Sequence, residues 1–479
     1  MISEEFAKIH SRRNLLERTA GGLGMLALWD LLAQDGRADD RATDVNPLRP
    51  KKPHFPGKAK SVIFLFMAGG PSHIDLFDPK PSLQKWDGQA LPESLSKNLN
   101  LAFIKPTAKI WPSPRPFKPY GSCGTEFSDL IPHIADNADD ICLIRSMYTE
   151  QINHHPGQLM MNCGSQFVGR PSMGAWVTYG LGSESQDLPG FVVLSSGAGT
   201  SAGSGNWTSG FLPSTFQGVT FRSVGDPVPY LSNPPGVTKQ MQRDRLDLLR
   251  GLNEAGHVAM KDPEISARIA SYELAFRMQM AAPELLDVSK ESAATLEMYG
   301  IKPDGSRPFA ANCLLARRLV ERGVRFVSLL HEGWDHHADL TTGIKKQCDA
   351  TDQPSGALIQ DLKQRGLLES TLVVWGGEFG RTPMVENRKP DAKESQGRDH
   401  HRLAFSMWVA GGGIKGGQAI GKTDDLAFNV VEDKVDVHDL HATLLHCLGL
   451  DHKRLTFRSQ GRDFRLTDVA GNVVEKLLT

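Results

Sequence analysis

The sequence has few cysteines, and they are spread widely along the chain. The six cysteines, at positions 123, 142, 163, 313, 348 and 447, include no Cys-x-x-Cys pair. This spacing excludes a zinc ribbon and a disulfide-dense scaffold, because both need closely spaced cysteines. One or two disulfides stay open as an alternative for an exported protein, since spacing alone does not reveal pairing.

The chain also lacks a strong net charge and any long apolar run. A formal net charge of −1 over 479 residues gives no broad attraction to nucleic acid or to an anionic membrane. No window is long and apolar enough for a stable membrane span. The 40% of hydrophobic residues nevertheless suffices for a substantial core, in several domains or in one large α/β domain with insertions.

The N-terminus has the pattern of an export signal. Residues 11–33, SRRNLLERTAGGLGMLALWDLLA, place an Arg-Arg pair before a short Gly-rich apolar stretch, as in a twin-arginine signal. An amphipathic helix that happens to contain Arg-Arg is the alternative. We expect the signal at 1–33, a polar Pro-containing linker at 34–60 and one domain at 61–479. The protein would then be periplasmic or extracellular, with the twin-arginine export machinery as a partner.

Helix-like and strand-like patterns alternate along much of the chain. The near-continuous apolar run at 61–70 is typical of a strand buried on both faces, and 139–147 and 188–196 are weaker examples. Helical spacing at about 238–298 predicts an inserted helical layer. Farther on, the predicted helices are 312–323, 355–370 and 438–450, and the predicted strands are 324–330, 371–377 and 403–413. This alternation predicts an α/β fold, a three-layer α/β/α sandwich around a mainly parallel, doubly wound sheet.

Acidic and histidine side chains gather after several of these strands, although the chain has only 16 histidines. Ligand sites of open α/β sheets lie outside the carboxyl ends of the strands, so these segments are expected to meet. The segments are GGPSHIDLFDPKP (69–81), HEGWDHHADL (331–340), GGEFGRTP (376–383) and QGRDHHR (396–402). Carboxylates and imidazoles together favour a divalent metal site, and Arg381 and Arg398 offer guanidinium forks that match anionic oxygens.

Each segment also has a simpler structural explanation, which the sequence leaves open. Asp residues beside proline commonly cap turns, and buried Asp–His or Glu–Arg neighbours commonly form pairs without a metal. The alternatives are turn capping for Asp75 and Asp78, a hydrogen-bonded pair for Asp335 and His337, a salt bridge for Glu378 and Arg381, and a solvated loop for Asp399 and His400. The recurrence of the pattern at successive strand ends favours the metal site.

These motifs, with DLHATLLHCLGLD (439–451), resemble the domain of unknown function 1501 family over roughly residues 60 to 470. That family consists of exported proteins related to sulfatases and alkaline phosphatases. The resemblance implies an alkaline-phosphatase-like sandwich with a catalytic metal site at the strand ends. The positions that match the metal ligands of the superfamily are Asp75, Asp335, His337, Glu378 and His400. They would hold one or two divalent ions, with Zn, Ca, Mn and Mg as candidates.

The chain departs from the superfamily at two places. Glu378-Phe379 stands where Asp-His is common, so one imidazole ligand of a second ion is missing. The segment HHPGQLMMNCG (154–164) resembles the nucleophile segment of sulfatases, but His154 stands at the nucleophile position and no maturation motif is present. His154 would be a further ligand or a covalent acceptor, water would attack directly, or hydrolysis has been lost. Thr149 is a substitute nucleophile.

The sequence therefore predicts an exported metal-dependent hydrolase that acts on a phosphate or sulfate ester, with glycan esters among the candidate substrates. Arg381 would contact the anionic group, and His154 would lie beside the reacting centre. The alternative function is a secreted protein that binds anionic glycans on the same fold without cleaving them. A phosphomutase-like activity is a third idea, which export disfavours. The expected partner is an anionic small-molecule or glycan ester, and no nucleic acid.

Overall fold

The structure is a computed structural model, and it describes residues 46–96, 101–197, 199–222, 228, 231–260, 263–302, 308–387 and 395–479. The predicted export signal and the first part of the predicted linker lie outside these ranges. The described part of the linker, residues 46–60, has no helix or strand and lies against the domain. The amide of Lys51 donates to the carbonyl of Leu181 (2.8 Å), and that of Ala59 donates to Cys447 (2.9 Å).

The strands vary from two to eight residues in length. In chain order they are β1 Ser61–Ala68, β2 Phe117–Tyr120, β3 Thr125–Ser128, β4 Ile141–Tyr148, β5 Phe191–Ser196, β6 Val219–Phe221, β7 Phe326–Glu332, β8 Thr371–Gly376, β9 Gly380–Arg381, β10 Glu386–Asn387, β11 Gln396–Gly397, β12 His400–His401, β13 Phe405–Ala410, β14 Gln418–Ile420, β15 Lys422–Thr423, β16 Val430–Glu432, β17 Val435–Asp436, β18 Phe457–Ser459 and β19 Arg462–Phe464.

Most of the longer helices lie between successive strands of the main sheet, as expected for crossover connections in a parallel sheet. The α-helices are His73–Leu76, Glu93–Ser96, Pro132–Ala135, His154–Cys163, Met173–Leu181, Lys239–Met260, Pro263–Leu286, Ala293–Tyr299, Pro308–Glu321, Leu340–Gln364 and Val437–Cys447. Three of them, from Lys239 to Tyr299, occupy the range in which the sequence predicts an inserted helical layer.

The main sheet is mostly parallel, which confirms the sequence prediction. Its strands lie in the order β14, β4, β13, β8, β1, β7, β5 and β6, with β17 alongside β4. Among these strands β13 alone runs antiparallel, against both β4 and β8. Strand β4 therefore points the same way as β8, and β8, β1, β7 and β5 are parallel to one another. The carboxyl ends of all these parallel strands share one edge.

Both faces of the sheet are buried, which confirms the three-layer sandwich. Along β1, Leu65 packs into one hydrophobic core and Phe64 packs into the core on the opposite face. The first core contains side chains of helices Pro308–Glu321 and Leu340–Gln364, and the second contains those of Met173–Leu181 and Val437–Cys447. A strand covered on both faces needs apolar residues at successive positions, which explains the unbroken run SVIFLFMA.

Helix Leu340–Gln364 begins earlier than the sequence predicts. The predicted helix spans 355–370, yet in the structure Pro354 lies inside a helix of 25 residues. Proline removes one amide donor from the helix interior. The helix continues because its N-terminal half buries Ile344 and Cys348 in the first core. Tertiary packing, more than local propensity, supplies most helical stability.

The structure also bears on two points that were inferred from composition. All six cysteines are free thiols, so the open alternative of one or two disulfides is not realised. Among the described residues, no helix combines the length and the apolar character that crossing a bilayer requires.

We expect Leu65→Ala and Phe64→Ala each to lower the free energy of unfolding by about 2–5 kcal/mol, because each empties a different core. Urea denaturation followed by fluorescence measures the change. The control is Val431→Ala on β16, whose side chain is 64% exposed and whose replacement should stay within about 0.5 kcal/mol. A neutral result for either core variant would contradict burial of that face.

Candidate metal centre

Five segments bring polar residues to the carboxyl edge of the sheet. Strand β1 leads into Gly69, β4 leads into helix His154–Cys163, β7 leads into Asp335, and β8 leads into Glu378. Strand β13 runs the opposite way, so His400, which precedes it, lies at the same edge. Residues that are far apart in the chain thereby become neighbours where ligand sites of such sheets are found.

Three histidines and one aspartate form the centre of this edge. The Nε2 atoms of His154, His337 and His400 lie 3.2, 3.0 and 3.4 Å from Oδ1 of Asp335. The Nε2 atoms of His337 and His400 are 2.9 Å apart. The four ligand atoms all lie within 4.8 Å of one another. We call His154, Asp335, His337 and His400 the histidine cluster.

The Nδ1 atom of each histidine in the cluster contacts an oxygen that lies outside it. The acceptors are Glu378 for His154 (2.6 Å), Glu386 for His337, and the carbonyl of Ile152 for His400 (2.7 Å). A carboxylate or carbonyl oxygen only accepts, so each ring donates its Nδ1 proton and turns its Nε2 atom into the cluster, where a neutral ring offers a lone pair. Hydrogen bonds of this kind set the tautomer and the orientation of metal-binding histidines.

A divalent cation fits this set of donor atoms. The Nε2 atom of His154 is buried, and Oδ1 of Asp335 lies 3.2 Å from it. Two lone pairs 2.9 Å apart, on His337 and His400, repel each other unless a proton or a cation lies between them. Three imidazole nitrogens and one carboxylate oxygen suit Zn, Mn, Fe or Co, whereas Ca and Mg prefer oxygen ligands. The cluster therefore fits a transition-metal ion better than an alkaline-earth ion.

The pKa values of the cluster agree with a site that attracts positive charge. Burial disfavours the ionised form of Asp335, but hydrogen bonds from the three histidines and the charge of Arg381 hold its pKa well below the ordinary value. Burial also opposes protonation of His154, yet hydrogen bonds to Asp335 and Glu378 raise its pKa to about 9. Burial is the main cause that lowers the pKa of His400 to about 4. The cluster thus contains an ionised carboxylate that favours a nearby cation.

Arg381 lies directly behind the cluster and is only 1% exposed. Its Nε donates to the carbonyl of Gly70 (2.9 Å), and its Nη1 donates to the carbonyl of Arg398 (3.0 Å). Its Nη2 donates to the carbonyl of Gly69 and to Oδ1 of Asp335 (2.6 Å). The guanidinium is thus turned toward Asp335 and the backbone. Its predicted contact with an anionic ester stays a prediction.

Asp75 follows β1 as expected, but the structure does not bring it to the histidine cluster. Helix His73–Leu76 directs its carboxylate to Arg398, whose Nε and Nη2 lie 2.9 and 3.3 Å from it, and Ser72 also donates to it. Burial alone would raise the pKa of Asp75, but the charge and hydrogen bonds of Arg398 lower it. The residue predicted as a ligand therefore forms a buried ion pair.

Glu378 contacts the ring of His154 but is not a member of the histidine cluster. Its Oε1 lies 2.6 Å from Nδ1 of His154 and accepts from the side chain of Gln158 (3.3 Å). Both of its oxygens accept from the amide of Gly69, at 3.1 and 3.2 Å. The sequence places Glu378 at the correct edge, but the structure makes it the orienting partner of His154.

Glu386 is a residue of this site that sequence reasoning missed. It lies in β10 and contacts Nδ1 of His337. Together with His337 and Asp399 it forms a second group of potential ligand atoms. Its segment, MVEN (384–387), contains no other acid or histidine and lies beyond the strand-end segment 376–383. No pattern of strand ends therefore pointed to it.

Asp399 connects the histidine cluster to the segment around Phe103 and Ile104, which covers the cluster. Its Oδ2 accepts from the amides of Phe103 and Ile104, at 2.8 and 3.1 Å, and its Oδ1 accepts from the amide of His400 (2.8 Å). The ring of Phe103 stands edge-on to His337 and His400, with centroids 5.3 and 5.4 Å away. An open cavity of about 630 Å³ adjoins it, lined by Phe103, Ile104, Lys105, Thr107, Ala108, Glu386 and Asn387. This cavity is large enough to admit a small ester beside the cluster.

Several solved structures share low similarity with the chain. A sulfatase, PsFucS1 from Pseudoalteromonas sp., is 13% identical with a TM-score of 0.34, over 82% of this chain and 68% of that one. The lipoteichoic acid synthase LtaP from Listeria monocytogenes is 7% identical with a TM-score of 0.34, over 89% and 80%. Alkaline phosphatase from the Antarctic bacterium TAB5 is 12% identical with a TM-score of 0.31, over 74% and 92%. No step of the functional proposal depends on these likenesses.

Family membership rests on the sequence itself. No curated protein matches the chain significantly. A family model described as a protein of unknown function (DUF1501) matches residues 59–478, which is almost the whole of the predicted domain. The resemblance inferred from the strand-end motifs is thereby confirmed, and the chain belongs to the DUF1501 family.

Proposed function

We propose that the protein is an exported metal-dependent hydrolase of phosphate or sulfate esters. The observation that carries the proposal is the convergence of three Nε2 atoms and one carboxylate at the carboxyl edge of the sheet. The family description names no activity. The proposal therefore depends on what this set of side chains can do.

His154, Asp335, His337 and His400 would hold the ion, which we propose to be zinc or a similar transition metal. His154 is then a ligand, which is one of the roles that the sequence left open. When bound, such an ion lowers the pKa of a water molecule and stabilises negative charge on a reacting phosphoryl or sulfuryl group. This chemistry suits the hydrolysis of an anionic ester without a nucleophilic side chain.

The protein itself would position both the ligands and the substrate. Glu378 and Glu386 fix the rings of His154 and His337 through their Nδ1 atoms. Helix His154–Cys163 begins at the cluster, and the amides of His154 and His155 precede its first backbone hydrogen bond, which runs from Gly157 to Asn153. These amides carry partial positive charge and are suited to the oxygens of a phosphate or sulfate group. The cavity beside Phe103 would admit the remainder of the ester.

Export is the part of the proposal that depends on the sequence alone. The Arg-Arg pair and the apolar stretch of residues 11–33 support a twin-arginine signal. The protein would then act in the periplasm or outside the cell, with anionic glycan esters among its candidate substrates.

Binding of anionic glycans without cleavage is the second candidate function. The observation that favours it is the position of His154, which replaces a nucleophile in the segment resembling that of sulfatases. A direct substrate test separates the two functions.

We expect the purified protein to hydrolyse at least one member of a panel of aryl sulfates, phosphate monoesters and phosphate diesters. Turnover should be lost after chelation and should return with Zn²⁺, Mn²⁺ or Co²⁺, because these ions suit nitrogen-rich ligands. Release of the aryl alcohol measures the rate. Binding of a sulfated oligosaccharide with no turnover of any ester would favour the second function.

Replacement of a cluster histidine should remove the metal. We expect His154→Ala, and the double variant Asp335→Ala with His337→Ala, to lose the stoichiometric metal that the wild type contains, because ligand atoms are missing. Elemental analysis of the purified proteins measures this content. The matched control is His155→Ala, an exposed neighbour on the same helix whose Nδ1 contacts the carbonyl of Ser201. A folded wild type without metal, or equal losses in the two single variants, would refute the site.

Glu378→Gln tests the orientation of His154. The amide keeps the size of the side chain but removes the charge that holds Nδ1–H, so we expect metal affinity to fall by about 10–100-fold. Competition with a chromophoric chelator measures the affinity. Asp349→Asn, an exposed position on helix Leu340–Gln364, is the control and should leave the affinity unchanged. An unchanged affinity in Glu378→Gln would contradict the orienting role.

A further inference from the structure

The position of Arg381 limits how many cations the centre can hold. Its Nη2 atom is 2.6 Å from Oδ1 of Asp335, the same oxygen that the Nε2 atoms of the cluster approach. A guanidinium is permanently charged. Asp335 therefore already has one fixed cation on one side and the three Nε2 atoms of the cluster on the other.

Arg381 is fixed at this place by its own surroundings. Three backbone carbonyls, those of Gly69, Gly70 and Arg398, accept from its nitrogens, and the side chain is 1% exposed. Strand β9, which contains Arg381, also pairs with β12, where His400 lies directly opposite it. A second metal ion on this side of Asp335 would have to displace Arg381. The backbone and the buried side chain of Arg381 are both held by hydrogen bonds.

The charged side chains around the cluster carry a net negative charge. Asp335, Glu378 and Glu386 contribute three negative charges, and Arg381 contributes one positive charge. Asp399, whose carboxylate lies beside His337 and accepts from the amide of His400, adds a fourth negative charge. The excess of negative charge favours binding of a divalent cation, and the position of Arg381 limits where that cation can lie.

The other acids at this edge are already engaged. Asp75 forms the buried ion pair with Arg398. Asp399, from the second group of potential ligand atoms, accepts three backbone amides, those of Phe103, Ile104 and His400. Glu386 accepts from His337, whose Nε2 faces the cluster. A cation bound by this second group would need these hydrogen bonds to break.

We propose that the centre binds one divalent ion and that Arg381 takes the place of a second cation. Arg381 is then a positioning residue that holds Asp335, in contrast to the substrate contact expected from the sequence. This inference rests on the proposed metal-dependent function and adds to it the number of ions and the source of the second positive charge.

The test counts metal ions and does not depend on activity. Protein freed of metal and titrated with Zn²⁺, then analysed by native mass spectrometry and elemental analysis, should bind one equivalent in the wild type and in Arg381→Lys, which keeps the charge. Arg381→Gln removes the fixed positive charge, so we expect it to bind a second equivalent. Arg402→Gln is the control. The side chain of Arg402 donates to the carbonyl of Glu150, so this variant should bind one equivalent.

Each outcome distinguishes this inference from the function that it depends on. Two equivalents in the wild type would overturn the inference and leave the metal-dependent function intact, as would Arg381→Gln remaining at one. No bound metal in the wild type would contradict the proposed function itself. If Arg381→Gln fails to fold, the wild type and Arg381→Lys still decide, because a second equivalent in either refutes the role of Arg381.

Discussion

The hydrogen bonds to the Nδ1 atoms of three histidines determine what the edge of the sheet can do. An imidazole with its proton on Nδ1 offers a lone pair at Nε2, and the reverse tautomer offers none there. Glu378, Glu386 and the carbonyl of Ile152 impose the same tautomer on His154, His337 and His400. Three Nε2 atoms therefore face one carboxylate oxygen. Without these partners the same residues would form ordinary pairs of histidine and aspartate.

The topology of the sheet is what supplies those partners. Parallel strands β4, β1, β7 and β8 all end at one edge, so they deliver His154, Gly69, Asp335 and Glu378 to neighbouring positions. The antiparallel strand β13 adds the segment that precedes it, which contains His400. A sheet with only parallel strands would send that segment to the opposite edge. The single reversed strand is therefore a condition for the third histidine ligand.

The architecture and half of the site were predictable from the sequence, for reasons that particular residues illustrate. The run SVIFLFMA revealed a strand buried on both faces, and GWDHH and GRDHH placed Asp335, His337 and His400 at its edge. Strand order predicts which edge a residue occupies, but not the direction of its side chain. Asp75 and Glu378 lie at the predicted edge, yet a short helix turns Asp75 to Arg398 and the amide of Gly69 holds Glu378 behind His154. Glu386 had no signal at all, because its segment belongs to no strand of the main sheet.

The distribution of the cluster residues also couples the candidate metal centre to the fold. His154, Asp335 and His400 belong to separate segments that meet only when β4, β7 and β13 lie in the same sheet. A cation that binds this arrangement binds the folded chain and not the unfolded one, so its binding free energy adds to the stability of the fold. Arg381 acts in the same direction without a metal, because its charge holds Asp335 while its nitrogens connect the ends of β1 to β9. The fixed cation organises the edge before any ion binds, and a bound ion would neutralise further negative charge of the carboxylates around the cluster.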